Sequence, residues 1–441
     1  MRTPSADLKI NKVPVYEAPQ RVEKGIFTLP IIILLLCMVP DTLGADYAKV
    51  PTAVFLLFAT LPAVLAAFAR KIKVAGRGVF LTFLLITVLN IFIGLAYGAP
   101  ILRWMRMAFC SYIFVAMFFY VALNINTPAR RDHLWKLLII FISIASFLDF
   151  ITVVRYGLAE TFEGRAAGGH AFTVTALMLL LPVLGTVLSK KKWLLIFFVA
   201  NLFLLFLSGS RGTYLIILMG ILYTFIFIQK RFAYRLAFLL FILIVGAVLV
   251  NTPVYNRMAE RFSTVTEGGD VSTLRRLDEA KSAVAAVRQG WASLLLGKGF
   301  GIIWKAQFNL SGGWITELPG GYMSDAPHND YASRLLYCGL LGLTVQLLVY
   351  FIIGINCFAA LRRARVIDVN VNAIVRLHGA LLVLISMMMA GFAGGVFIFF
   401  NNNVYQAFIF GMAMSDATEI LSRKGNNASE DNNRIVAKSV T

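Results

Sequence analysis

Long apolar runs separated by short polar segments recur along almost the whole chain, and they constrain the fold more than any other feature. A membrane-spanning helix needs roughly 20 mostly apolar residues. Because lipid offers no hydrogen bonds, each run must satisfy its backbone internally, as a helix does. The sequence therefore predicts an all-α polytopic integral membrane protein with about 12 transmembrane helices. The predicted spans are 25–43, 48–69, 78–97, 104–124, 134–154, 171–188, 193–208, 212–229, 236–251, 331–358, 376–399 and 402–421.

The composition excludes the main soluble classes. Hydrophobic residues make up 59% of the 441 residues and charged residues only 14%, whereas a soluble domain has about 45–50% apolar and about 25% charged residues. These values exclude an ordinary cytosolic enzyme, a disordered protein and a secreted disulfide scaffold. The four cysteines lie in or beside apolar runs and are interpreted as packing residues: Cys37, Cys110, Cys338 and Cys357.

The positive charges predict the orientation in the membrane. The chain has 41 Lys and Arg against 22 Asp and Glu, a net charge of +19. Most of the positive residues fall in every second connection, which is the pattern of cytoplasmic segments. The excess is therefore interpreted as a topology signal rather than a nucleic-acid surface, and both termini are predicted to be cytoplasmic. The polar N-terminus, up to about residue 24, does not resemble a usual signal peptide.

One connection is far longer than the others and lies on the outer side in this topology. A long polar insertion between spans is more often functional than filler. Within it, residues 272–289 have the apolar spacing of an amphipathic helix, and Gly297, Gly299 and Gly301 follow. The predicted segments are 1–24 cytoplasmic, 25–251 with spans one to nine, 252–330 the outer loop, 331–421 with spans ten to twelve, and 422–441 a cytoplasmic, disordered tail.

His328 is the histidine best placed for chemistry, because it lies where the outer loop meets the tenth span, beside Asn329. In a continuous helix, Gly339 and Gly342 would lie within about 40° of His328 on one face. Glycines on such a face let a neighbouring helix approach closely. We therefore expect Gly339 and Gly342 to provide helix packing under the site. The alternative is a packing motif with an incidental histidine above it.

Arginines are the candidates for binding an anion on the outer side. Arg211 lies in a tight outer turn, where a positive charge opposes the topology bias and free backbone N–H groups can face an anion. The alternative is an arginine that reaches towards lipid headgroups. The loop adds Arg275 and Arg276 on its predicted helix, and Arg257 and Arg261 after the ninth span. For Arg275 the alternative is a surface ion pair with Glu279.

Arginine suits a pyrophosphate, since its guanidinium is always charged and binds phosphate oxygens in pairs. No Asp-x-Asp motif and no metal-ligand spacing occur in the sequence. We therefore expect no metal and no cofactor. Asp41 and Asp46, in the first outer loop, are read as solvated acids rather than a catalytic base.

These residues carry a family resemblance. His328-Asn329, nine residues, Gly339, two residues and Gly342 resemble the pattern of the bacterial O-antigen ligase (WaaL) family, within the O-antigen ligase/polymerase (Wzy-like) superfamily. The turn at 208–212 resembles the Ser-x-Ser-Arg-Gly segment of that superfamily. The loop helix and its Gly-x-Gly segment resemble the family's arginine-bearing helix, with Arg276 in the arginine position and Ala280 replacing the family's aromatic residue. The resemblance covers about residues 200–345.

The resemblance implies a GT-C-like glycosyltransferase of the bacterial inner membrane that acts in lipopolysaccharide biosynthesis. It implies transfer of a glycan from undecaprenyl pyrophosphate to the lipid A–core oligosaccharide at the periplasmic face, without a metal and with inversion. His328 would be the general base or would position the acceptor. Arginines would neutralise the leaving pyrophosphate, and Asn329 would orient the imidazole or the sugar. The arginines so assigned are Arg211, Arg276, Arg275, Arg257 and Arg261.

Three alternatives remain open. A polymerase of the same superfamily would use a second lipid-linked glycan as acceptor. A protein-glycosylating ligase is disfavoured by the short predicted cytoplasmic tail. A transporter of lipid-linked glycan would place ionisable residues near the bilayer midplane, whereas the notable charges here, including Arg211 and Arg334, are predicted at the outer boundary.

Overall fold

The computed structural model describes residues 32, 49–155, 170–187, 193–208, 211–228, 271–302, 304–306, 322–324, 329–393 and 400–423. The helices are α1 (Lys49–Phe68), α2 (Arg77–Ala96), α3 (Ile101–Asn124), α4 (Pro128–Arg155), α5 (His170–Val187), α6 (Trp193–Ser208), α7 (Arg211–Tyr223, continued by a π-helix over Thr224–Ile228), α8 (Val271–Val287), α9 (Trp291–Leu296), α10 (Asp330–Arg363), α11 (Val371–Ala393) and α12 (Phe400–Ser422). Two short strands, β1 (Trp304–Ala306) and β2 (Tyr322–Ser324), pair antiparallel, with Trp304 opposite Ser324.

Most of the predicted spans coincide with helices, namely α1 to α7 and α10 to α12. Among the described residues, four helical segments are long and apolar enough to cross a membrane: Arg77–Ala96, Met107–Asn124, Asp330–Arg363 and Val371–Phe392. The chain is therefore a helical membrane protein, and the number of twelve crossings stays a prediction. The predicted span 25–43 apart from residue 32, the span 236–251 and almost all of the predicted tail lie outside the described residues.

The centre of the bundle is formed by helices that are buried on every side. Residues 113–121 of α3 are all buried, and so are residues 176–181 of α5. Aromatic rings join α3 to its neighbours, with Phe80 of α2 stacked on Phe118 and Phe410 of α12 edge-on to Phe114. A helix that is apolar all round belongs inside a bundle. By contrast, α1, α2 and α7 leave large apolar side chains exposed, as expected for faces in contact with lipid.

Helix α10 is sharply bent, which corrects the predicted geometry of the histidine motif. Gly339 has φ 64° and ψ −168°, far from helical values. The predicted continuous face that joins His328, Gly339 and Gly342 is therefore wrong, because the helix is interrupted between its residues 338 and 340. At Gly342, an added Cβ would overlap the Cβ of Cys338 across the bend.

The outer-loop helix is present as α8, but its buried face differs from the predicted one. Glu279 and Ala283 are completely buried, whereas Leu277, predicted on the apolar face, is 50% exposed. The alternative for Arg275 is a surface ion pair with Glu279. This pair cannot lie on the surface, because Glu279 is buried. Glu279, Ala283 and Val287 share one buried face of α8, and the helix contacts α10 and β1.

Candidate functional site

The bend in α10 is completed by the glycine-rich segment of the outer loop. Lys298 donates its backbone N–H to the carbonyl of Leu336 at 2.8 Å, and Gly299 donates to Tyr337 at 3.0 Å. In a straight helix these two carbonyls would accept from the residues four positions later. The loop backbone therefore replaces the helical hydrogen bonds around the bend, as buried carbonyls require.

This junction needs glycine on both sides. Gly297 has φ +81°, and a Cβ there would overlap the carbonyl of Tyr337. Gly339 faces back towards the loop, where its Cβ would lie 2.6 Å from the nitrogen of Gly297 and would overlap the carbonyl of Leu295. The glycine of the histidine motif and the Gly-x-Gly segment are thus two halves of one backbone contact. Both features stand out in the sequence, but nothing in the sequence indicates that they contact each other.

The other side of the glycine segment rests on α2 and α3. Phe300 donates its N–H to the carbonyl of Asn90 at 3.1 Å. A Cβ on Gly299 would overlap the backbone of Gly94, and one on Gly301 would lie 2.5 Å from the nitrogen of Trp104. The segment 297–301 is therefore held between α10 and the N-terminal part of the bundle.

Asn329 holds the start of α10. Its Oδ1 accepts a hydrogen bond from the N–H of Ala332 at 2.9 Å, which is N-capping. Its Nδ2 donates to the carbonyl of Phe392 in α11 at 3.3 Å. Tyr331 adds a hydrogen bond to the carbonyl of Met388 at 2.8 Å. The chain directly after His328 is therefore fastened to α11, while His328 itself lies outside the described residues.

Of the two loop-helix arginines, Arg276 lies on the buried face of α8. It is half-buried and precedes Glu279, Ala283 and Val287 by three, seven and eleven residues, which is the spacing of one helix face. Arg275 lies within α8, but its side chain is outside the described part of the structure, as are Arg257 and Arg261 entirely. Arg276 thus lies on the face of α8 that the rest of the protein covers.

Arg211 is the first residue of α7, which packs against α11. Tyr223 Oη lies 2.9 Å from His378 Nδ1 and so fixes the register of these two helices. At 1.5 Å per residue, Arg211 lies about 18 Å from Tyr223 along α7. Phe392 lies about 21 Å from His378 along α11. If the two helices run antiparallel, as the topology predicts, the backbone of Arg211 lies at the level of Phe392 and of Asn329. The Arg211 side chain is outside the described part.

Arg334 is a functional candidate that the sequence interpretation assigned only to the outer boundary. Its side chain is 6% exposed, and its guanidinium contacts Gln346, Ser111 and the ring of Phe83. Ser111 lies well inside α3, and Phe83 well inside α2. The charge of Arg334 therefore lies within the bundle, and its level relative to the membrane boundary stays a prediction. An arginine inside an apolar run, six residues after His328, was the available signal.

Comparison with protein families places these features in one domain. The family model described as O-antigen ligase matches residues 196–347, from α6 into the part of α10 beyond the bend. The matched region contains Arg211, Arg276, the glycine segment 297–301 and the motif from His328 to Gly342. Comparison with curated proteins found no match. Residues 196–347 are therefore similar to the O-antigen ligase family, and this similarity supports the O-antigen ligase/polymerase superfamily for this part of the chain.

Proposed function

We propose that the protein is an O-antigen ligase of the bacterial inner membrane, with both termini in the cytoplasm. It transfers a glycan from undecaprenyl pyrophosphate to the lipid A–core oligosaccharide at the periplasmic face. The observation that carries the proposal is the junction of segment 297–301 with the bend at Gly339, inside the matched domain. This junction joins the arginine-bearing helix to the start of α10, next to position 328.

The chemistry assigned to these residues follows from charge and position. The pyrophosphate leaves easily when its negative charge is neutralised, and arginine does this without a metal. Arg211 and Arg276 are proposed for this role, with the other loop arginines Arg275, Arg257 and Arg261. The sugar hydroxyl of the acceptor is a weak nucleophile, and a neutral His328 accepts its proton or positions it. Direct attack then inverts the anomeric carbon.

A polymerase of the same superfamily is the nearest alternative, and it differs only in the acceptor. A transporter remains a third reading. Arg334 is a buried charge within the bundle, and a transporter would also place ionisable residues inside its helices. However, its guanidinium is held by Gln346, Ser111 and Phe83, which favours a structural role for this charge over a translocation path.

The test is glycan transfer in a Gram-negative strain that lacks its own ligase. The wild-type protein is compared with His328→Ala and Arg211→Ala at equal membrane abundance. Each variant is expected to lower capping of lipopolysaccharide by about 100-fold or more, because general acid–base catalysis and charge stabilisation each contribute that much. His133→Ala and Arg365→Ala are matched controls, since both residues are exposed and lie on the predicted cytoplasmic side.

The outcomes separate the alternatives. The ligase and its site are supported if wild type and both controls produce capped lipopolysaccharide while the two site variants produce only uncapped core. Longer lipid-linked chains without capping would assign a polymerase. Capping that survives both substitutions would remove His328 and Arg211 from the site. Movement of lipid-linked glycan across vesicles, without transfer in detergent, would favour the transporter.

A further inference from the structure

We propose that Arg334 and Gln346 form a positioning pair that holds the two halves of α10 at a fixed angle and thereby fixes position 328 for glycan transfer. The inference rests on the proposed function. It assigns a role in the reaction to two buried side chains that are not among the defining residues of the histidine motif.

The distance between the two side chains shows that they join the halves of the bent helix. Arg334 Nε donates to Gln346 Oε1 at 2.8 Å. The residues are twelve positions apart, which corresponds to about 18 Å along a straight helix. An arginine side chain cannot bridge that length, so this hydrogen bond exists only because α10 bends at Gly339. The bond and the bend therefore depend on each other.

Both side chains are buried, and each is held by further partners. Gln346 is 1% exposed and donates from Nε2 to Tyr350 Oη at 2.8 Å. Arg334 donates from Nη2 to Ser111 Oγ at 3.2 Å, and its guanidinium carbon lies 4.7 Å from the centre of the Phe83 ring. A buried polar network of this kind is rigid when its groups are satisfied. Ionisable residues inside membrane bundles usually have a functional reason.

The short helical piece 330–338 is thus held at three points. Asn329 fastens its start to Phe392 of α11. Lys298 and Gly299 hold its end through the carbonyls of Leu336 and Tyr337. Arg334 lies between these points and ties the piece to the second half of α10. Because only Asn329 separates position 328 from this piece, a rotation of the piece would displace His328.

The decisive substitution is Gln346→Leu, which keeps the side-chain volume but removes the acceptor. We expect kcat for transfer to fall about 10- to 100-fold, because a displacement of about 1 Å at a catalytic group has this effect. KM for donor and acceptor should stay unchanged, since Gln346 is only 1% exposed. Gln346→Glu should restore kcat, because a carboxylate accepts from Arg334 and the Tyr350 hydroxyl can donate to it. Activity is measured on purified enzyme in lipid nanodiscs, per folded protein.

The matched control is Asn356→Leu. Asn356 is another amide on the same helix, and its Nδ2 donates to the carbonyl of Ile352 within its own turn. This variant should keep the wild-type kcat. Arg334→Met should match Gln346→Leu, and the double variant should lose no more than either one alone, because both act through one interaction. Thermal unfolding of each variant separates loss of fold from loss of position.

Several results would overturn the inference while leaving the proposed function intact. They are a wild-type kcat in Gln346→Leu, an equal loss in Asn356→Leu, or no recovery in Gln346→Glu although that variant is folded. A changed KM with an unchanged kcat would instead make Gln346 part of a substrate site. If wild-type enzyme shows no transfer to any acceptor, the proposed function itself fails, which is a different observation.

Discussion

Single glycines determine how closely the outer loop approaches the bundle. At Gly299 the backbone has φ +81°, and the α-carbon faces the amide of Gly94 in α2 with no room for a side chain. The approach lets Phe300 donate its N–H to Asn90. The loop hydrogen bonds that replace helical ones at the bend of α10 therefore depend on the absence of a side chain at this position.

This contact predicts a specific effect of alanine at Gly299. Gly299→Ala adds the strain of a left-handed residue, about 1–2 kcal/mol, and also an overlap with the Gly94 backbone, about 1–3 kcal/mol more. Gly98→Ala is the matched control, because Gly98 has φ +74° and open space around its α-carbon. Thermal unfolding in detergent should rank Gly299→Ala clearly below Gly98→Ala. Equal midpoints would show that segment 297–301 is not packed as described.

At the scale of elements, an ion-pair cluster joins three helices at the end predicted to be cytoplasmic. Arg376 of α11 binds both oxygens of Asp416 of α12, at 2.6 and 3.0 Å, and also pairs with Asp132 of α4. Arg131 of α4 lies 2.7 Å from Asp416. Both arginines lie where the pattern of positive charges predicts cytoplasmic segments, and the structure shows that they are buried partners of one carboxylate.

The cluster predicts how its helices respond to loss of that carboxylate. Asp416→Leu leaves two buried guanidinium groups with fewer partners, and we expect the free energy of unfolding to fall by about 3–5 kcal/mol. Arg423→Met is the control, because its pair with Glu419 is exposed and should contribute less than about 1 kcal/mol. Unfolding in mixed micelles measures both. A similar small loss in both variants would contradict the role given to the cluster.

For helix α8, the periodicity of apolar residues does not predict which face is buried. The existence of α8 follows from its local sequence, yet the spacing of its apolar residues predicts Leu277 inside and Glu279 outside. The structure has the reverse arrangement. Periodicity describes which residues share a face, and the partner that covers a face is a property of the assembled bundle.

For the whole molecule, the membrane orientation is the main prediction. Lys281 on α8 is 67% exposed and belongs to the outer loop, whereas Val366, after α10, is 84% exposed and belongs to a predicted inner connection. With the native cysteines replaced, Lys281→Cys should react with a membrane-impermeant maleimide on intact spheroplasts. Val366→Cys should react only after lysis. The opposite pattern would invert the topology and remove the site from the periplasmic face.

Run length and residue type are local properties, so the helical membrane fold, most helix positions and the motif residues were predictable from the sequence. The bend at Gly339 was not, because one glycine inside an apolar run costs a helix only about 1 kcal/mol and does not indicate an interruption. The bend is selected by partners about 40 residues away, Lys298 and Gly299, and the burial of Arg334 follows from it. Such contacts between distant segments exist only once the helices have packed together.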